Sequence, residues 1–446
     1  MKTFFVWLVA LAAPLWAVTR YVSLDGGNIA PYTSWADAAR TIQDAINVAD
    51  DGDVILVASG VYNASGAVVD GVSNRVALLK PVTVQAVSGP GATVICGVPY
   101  DFSANVALRC AWLTNGAELH GFTLSNGSGL SAATDLPARH GAGVLMNGGG
   151  LLSNCIITAN NGFSQLRGGG VYCHMGGAVY DSLVVSNNAF TGGGAYCFSA
   201  GSLVRCALTD NRAAGGSGCE GGGVCMSGGG LHDCIVAGNY AQGSGGGVFV
   251  YSYAALSGCL IASNVTADTL GGGGGVHLYL NGLVSNCTLT ANRAHFGGGI
   301  YSRRRSAFVD CSVSGNHATR GGGFYSPDGG TLRGCRVAGN TAMNGAGVYA
   351  EAAAVTVALC RITGNTATNN GGGVYCASGA SLFSCLIAYN SASNTAGACT
   401  SRAARHATAP LPATTRQTAV ACMPSTARSS TRYFITTLRR QTKIGR

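Results

Sequence analysis

Three ionisable residues occupy one place in a repeating pattern: Asp181, Arg205 and Asp233 each stand immediately before the central residue of an aligned segment. If the repeats stack at the ~4.8 Å spacing of paired strands, the two carboxylates lie about 9–10 Å apart. That is the upper end of the gap across which one carboxyl protonates a leaving oxygen and the other activates a water, as in inverting glycoside hydrolysis. The same residues also read as an exposed ion-pair row, the arginine bridging two aspartates, with no chemistry at all. A second column, two positions after each glycine run, holds Tyr172, Tyr196, Cys225, Phe249, His277, Tyr301, Tyr325, Tyr349 and Tyr375. The flanking Val and small residues should alternate inward, so the rings should face out. Tyr301, Tyr325, Tyr349 and Tyr375 then predict an exposed stripe about 14 Å long, either a platform for the apolar faces of sugars or rings stacked on one another. A third group, Arg293, His295, His317 and Arg320 with Arg303, Arg304 and Arg305 in a neighbouring turn, could hold an acidic sugar or form a solvated turn surface. No Ser/His/Asp triad, Walker loop or HExxH can be assembled from the spacing. The glycine triplets are corners, since no Lys-Ser/Thr and no helix follow them.

The elements that place these residues are short strands in a repeat. Ten segments align, with central residues Cys155, Ser182, Cys206, Cys234, Cys259, Cys287, Cys311, Cys335, Cys360 and Cys385, at steps of 24 to 28 residues. Two positions on, the residue is always aliphatic, from Ile157 and Val184 to Ile387, while the intervening position is mixed. That alternation marks a strand with one buried face. Five positions after the centre stands an asparagine in all ten copies, from Asn160 to Asn390. A glycine-rich turn and a second strand follow, as in Gly371-Gly372-Gly373-Val374-Tyr375-Cys376. Asn and Gly tolerate left-handed backbone, so each is expected at a corner. A coil of ~25 residues cannot bury its own apolar face, but stacked coils can. The asparagines then form a row whose amides bond from coil to coil. The central cysteines point inward as small apolar residues, and parallel in-register side chains reach disulfide torsions with difficulty. Reduced, buried thiols are therefore expected, with Ser182 interrupting the row. No CxxC occurs and a linear stack is not a tetrahedron, so no metal is expected. No cofactor is expected either.

These residues carry a resemblance. The stretch Thr41-Ile42-Gln43-Asp44-Ala45-Ile46, then Asp51-Gly52-Asp53-Val54-Ile55-Leu56-Val57 and Gly60-Val61-Tyr62, resembles the opening of the right-handed parallel β-helix, pectate-lyase-like superfamily. The resemblance implies an all-β solenoid whose first coil is plugged by a short N-terminal helix. Ser34 with Asp37 would cap that helix, Gly52 would end it, and Ile42, Ala45 and Ile46 would cover the core. The glycine-triplet turns are also similar to repeats of polymorphic outer-membrane proteins and autotransporter passengers, although the repeats here lack their Phe-x-x-Asn. Together the resemblances span about residues 30–395. Calcium-dependent lyases of the superfamily gather several carboxylates around the metal, and the repeats show no acid cluster of that density.

The composition narrows the classes. Charged residues are 10% of the chain and glycines number 69, unlike a disordered, charge-rich chain. The net charge of +9 comes from residues 396–446, with nine Lys/Arg and no Asp or Glu, which leaves 18 basic against 18 acidic residues elsewhere. A neutral body gives no reason to expect a nucleic-acid partner. The apolar run Phe4–Leu15 after Lys2 reads as a secretory signal over 1–17, and no later run reaches the ~20 residues of a membrane helix. Residues 18–60 are expected to form the cap and 61–395 the coils. From 396 to 446 the periodicity stops. Reading the third base of each codon with the first two of the next, Thr395 to Thr400 permits Gly-Gly-Gly-Val-Tyr, and Arg416 to Met423 permits it again. The tail is thus expected to be a frameshifted, disordered sequence. The expected function is a secreted or cell-surface, outer-membrane-associated structural or adhesive stalk that binds polysaccharide or surface glycan. The alternative is a polysaccharide lyase or glycoside hydrolase of the same fold.

Overall fold

The structure is a computed structural model that describes residues 17–394, apart from 102–105, 115, 130–136, 163–164 and 217, together with residues 418–419 and 436–437. The expected signal segment therefore lies outside the described residues but for Ala17. So does the tail, but for the two-residue strands Thr418–Ala419 and Thr436–Thr437, which pair antiparallel.

Three long sheets run from Thr19 to Ala388, of 14, 13 and 14 strands among the described residues. Each coil gives one strand to each sheet, and almost every pairing is parallel and in register. In the second sheet Leu124, Ile157, Val184, Leu208 and Val236 stand on consecutive rungs, each fully buried. In the first sheet Leu152, Val179, Leu203 and Leu231 do the same. In the third, Val144, Val171, Ala195 and Val224 line the interior. The three walls enclose one continuous apolar column, and the chain is a right-handed parallel β-helix. The period-2 alternation of each short strand sends one set of side chains into that column. Among the described residues the stack begins at Thr19–Val22, which pairs with Val54–Val57, within the segment 18–60 expected to hold the capping helix and the first strand.

The plug is the helix Ile42–Val48, with Ile42, Ala45 and Ile46 buried. Its N-cap is Thr41, whose hydroxyl accepts from the Asp44 N–H at 3.2 Å, and not the expected Ser34. Ser34 instead closes a preceding turn by accepting from the Asp37 N–H at 3.1 Å. The helix ends at Ala49, so Gly52, with φ +88°, belongs to the turn beyond it.

Two ladders lock the coils together. The side-chain amide of Asn187 donates to Oδ1 of Asn211 at 3.0 Å, as does its backbone N–H. Asn211 repeats this on Asn239, and Asn239 on Asn264, all buried. These asparagines do not themselves occupy the left-handed corner. The residue before each does: Ala159, Ser186, Asp210, Gly238, Ser263, Ala291 and Gly315 have φ of 54° to 66°. The asparagine is needed for its amide, and the bend is made one position earlier. None of the sixteen described cysteines is in a disulfide. Along the central column the N–H of Cys206 donates to Sγ of Cys234 at 3.3 Å, and the Cys206 thiol donates to the Val204 carbonyl at 3.4 Å. Ser182 does not interrupt this pattern. Its hydroxyl accepts from the Cys155 N–H at 3.1 Å and donates to the Tyr180 carbonyl at 2.7 Å.

Candidate functional site

Asp181, Arg205 and Asp233 fall on three successive coils at the corner between the first and second sheets, all exposed. Their column has φ near 50° throughout, shared with Asn154, Asn286 and Asp310, so acid and amide side chains there are explained first by the backbone they tolerate. Arg205 grips Asp181 through Nε at 2.7 Å and through Nη2 at 2.8 Å. Those hydrogen bonds hold the Asp181 carboxyl below its usual range. A general acid must hold its proton, so this environment works against a general-acid role for Asp181.

The tyrosine column forms, but not as an open platform. Tyr325 and Tyr349 are only 4% and 7% exposed, and Tyr301 and Tyr375 are intermediate. The rings point away from the apolar column as expected, yet each covers the next. Centroids are 5.2 Å apart for Tyr301–Tyr325, 5.3 Å for Tyr325–Tyr349 and 4.7 Å for Tyr349–Tyr375, with planes within 36°. Coil spacing forces this, because rings one strand apart meet face to face. Arg320 lies over Phe296 and Tyr349, and the Tyr325 hydroxyl donates to Glu351. The stack continues through His277, 4.3 Å from Tyr301 and 4.6 Å from Phe249. Burial pushes the His277 imidazole down to about 3, so it stays neutral.

Beside this stack, at the turns between the third and first sheets, lies a groove of about 600 Å³ lined by residues including Asn281, Arg304, Arg305, Asp328, Gly329 and Thr331. Asp328 accepts from Arg303 at 3.0 Å and lies 3.9 Å from Arg304, and both guanidiniums sit over the Tyr279 ring. Arg304 and Arg305 hold φ of 36° and 60°, a conformation that side chains rarely adopt. The other basic residues lie elsewhere, His317 and Arg320 in the strand His317–Arg320 and Arg293 bridged to His317 from the coil before it. His317 meets Thr341 at 2.9 Å, and His295 meets Thr319 at 3.3 Å.

Spacing gave no triad, but the fold brings one set of its parts together. On the outer face of the first sheet, His120 Nδ1 is 2.6 Å from Ser153 Oγ and its Nε2 is 2.9 Å from a Glu118 oxygen. Glu118 and His120 share a strand face, and Ser153 pairs with His120 on the next coil. The legible signal was the Glu-x-His alternation. The 33-residue step to Ser153 fell outside the aligned 24–28-residue repeats. Among the described residues no group of three or more His, Cys, Asp or Glu is placed to hold a metal ion. No helix there is long and apolar enough to cross a membrane, which leaves β-barrels unaddressed.

Comparison with known proteins bears on the class of architecture. Residues 222–396 match the family model described as "Right handed beta helix region", in agreement with the register above. Among solved structures the chain is similar to one described as "The complex structure of XylC with xylose", at 10% identity and a TM-score of 0.37, over 72% of this chain and 76% of that one. No curated protein matches the chain.

Proposed function

We propose that this chain is an exported, surface-displayed β-helix, a structural or adhesive stalk that binds glycans along the edge between its third and first sheets. The observation that supports this reading is the groove at Asn281, Arg304, Arg305 and Asp328. There, forked guanidinium donors, an amide and a carboxylate gather on a scaffold held coil to coil by its asparagine ladder. Sugars are recognised by such convergent polar groups, and a carboxylate-bearing sugar fits the guanidinium fork. The covered tyrosine faces make a flat stacking platform a poorer account of binding than the groove. Export rests on the apolar run Phe4–Leu15.

The test is retention on a panel of immobilised neutral and acidic polysaccharides. The double variant R304A/R305A should lose about tenfold or more in affinity, as expected for charge-assisted hydrogen bonds, with an unchanged melting temperature. Absence of binding to the whole panel, or retention unaffected by the double substitution, overturns the proposal.

A further inference from the structure

The Glu118–His120–Ser153 cluster lies on the outer face of the first sheet, and the groove does not involve it. Its hydrogen-bond polarity follows from simple accounting. An ionised carboxylate can only accept, so His120 presents Nε2–H to Glu118 at 2.9 Å. In the neutral ring the other nitrogen, Nδ1, then carries the lone pair, so Ser153 must donate its hydroxyl proton across the 2.6 Å contact. That tautomer is the one a general base needs. The site is open to solvent, the His120 and Glu118 side chains being 21% and 41% exposed.

The chain contains its own comparison. His232 meets Ser257 in the same way, Nδ1 to Oγ at 2.8 Å, on paired coils of the same sheet. The rung position of Glu118 is there filled by Gly230, where a side chain would run into the His232 ring at 2.3 Å. One Ser–His pair has an orienting carboxylate and the other does not.

We propose that Ser153 is an activated nucleophile, with His120 as its general base and Glu118 as the residue that positions and charges-balances the imidazole, acting on small acyl esters. Ser153 Oγ bonds to the ester carbonyl carbon as its proton passes to Nδ1. The ester C–O bond breaks and the alcohol leaves with that proton. Water, deprotonated by His120, then cleaves the acyl-serine, releasing the carboxylic acid and restoring Ser153. The N–H of Asn154, the next residue, is committed to the Tyr180 carbonyl at 3.2 Å. Any donor from Asn154 to the developing oxyanion is therefore its exposed side-chain amide.

The whole chain is treated with an alkyl fluorophosphonate and the adduct located by peptide mass mapping, alongside p-nitrophenyl acetate hydrolysis. Ser153 should be labelled about tenfold faster than Ser257, whose pair with His232 lacks only the carboxylate. S153A should abolish that adduct, H120Q should slow it about 10²-fold, and E118Q should slow it about tenfold while S257A changes nothing. Circular-dichroism melting of each variant shows whether the coil stack is intact. Equal, slow labelling of Ser153 and Ser257 in a folded protein, or labelling of Ser153 indifferent to E118Q and H120Q, overturns the inference. Glycan retention by the S153A variant separates this outcome from the binding reading.

Discussion

The Cys155 N–H donates to the Ser182 hydroxyl where, two coils later, the Cys206 N–H donates to a thiol. At alternate steps of the central column, Ser182, Cys234, Cys287 and Cys335 each supply a small buried acceptor for the amide of the coil before it, and each also donates to a carbonyl of its own coil. Sulfur and oxygen both serve, and a methyl group cannot. S182C should therefore leave stability nearly unchanged, while S182A strands a buried N–H and should cost about 1–3 kcal/mol. Urea denaturation of the two variants decides this, and equal midpoints for S182A and the unsubstituted chain would refute it. The sequence showed the column and its inward direction. It did not show why serine is admitted, because that depends on an amide 27 residues away in the chain.

The short strands owe their lengths to the left-handed residues between them. In the column before the central residue these are Asn154, Asp181, Arg205, Asp233, Gly258, Asn286, Asp310, Gly334, Leu359 and Ser384, with φ of 48° to 66°. Most of these residue types tolerate the conformation. Leu359, with φ 56° and 55% exposure, gains nothing from its site and bears the strain. L359N should stabilise the chain by about 1 kcal/mol, read as a raised melting temperature; a lowered one would show that the leucine packs on something its exposure conceals. The expectation that asparagine and glycine mark corners was half right. Glycine does so at the head of each triplet, as at Gly192 and Gly371, but the ladder asparagines sit one residue past the bend.

At the scale of the molecule, each coil touches its neighbours and little else, so stability should scale with coil number. Deleting residues 235–259 joins Cys234 to Leu260 in unchanged phase and should leave a cooperative fold. Its denaturant m-value should fall by roughly one part in the 13 rungs of the second sheet. Deleting 235–247 alone breaks register in all three sheets and should unfold the chain; comparable folding of both deletions would contradict the stacking account. By itself the sequence determined the coil, the buried aliphatic column and the asparagine ladder. Each of these follows from a side chain's direction within its own short strand, repeated at a fixed step. Only the tertiary structure decided which outward side chains meet. It turned the tyrosine stripe into a covered stack, committed Asp181 to Arg205, and set Ser153 against His120. Those contacts join residues tens of positions apart, and a strand's own alternation carries no information about its neighbour across a gap of ~4.8 Å.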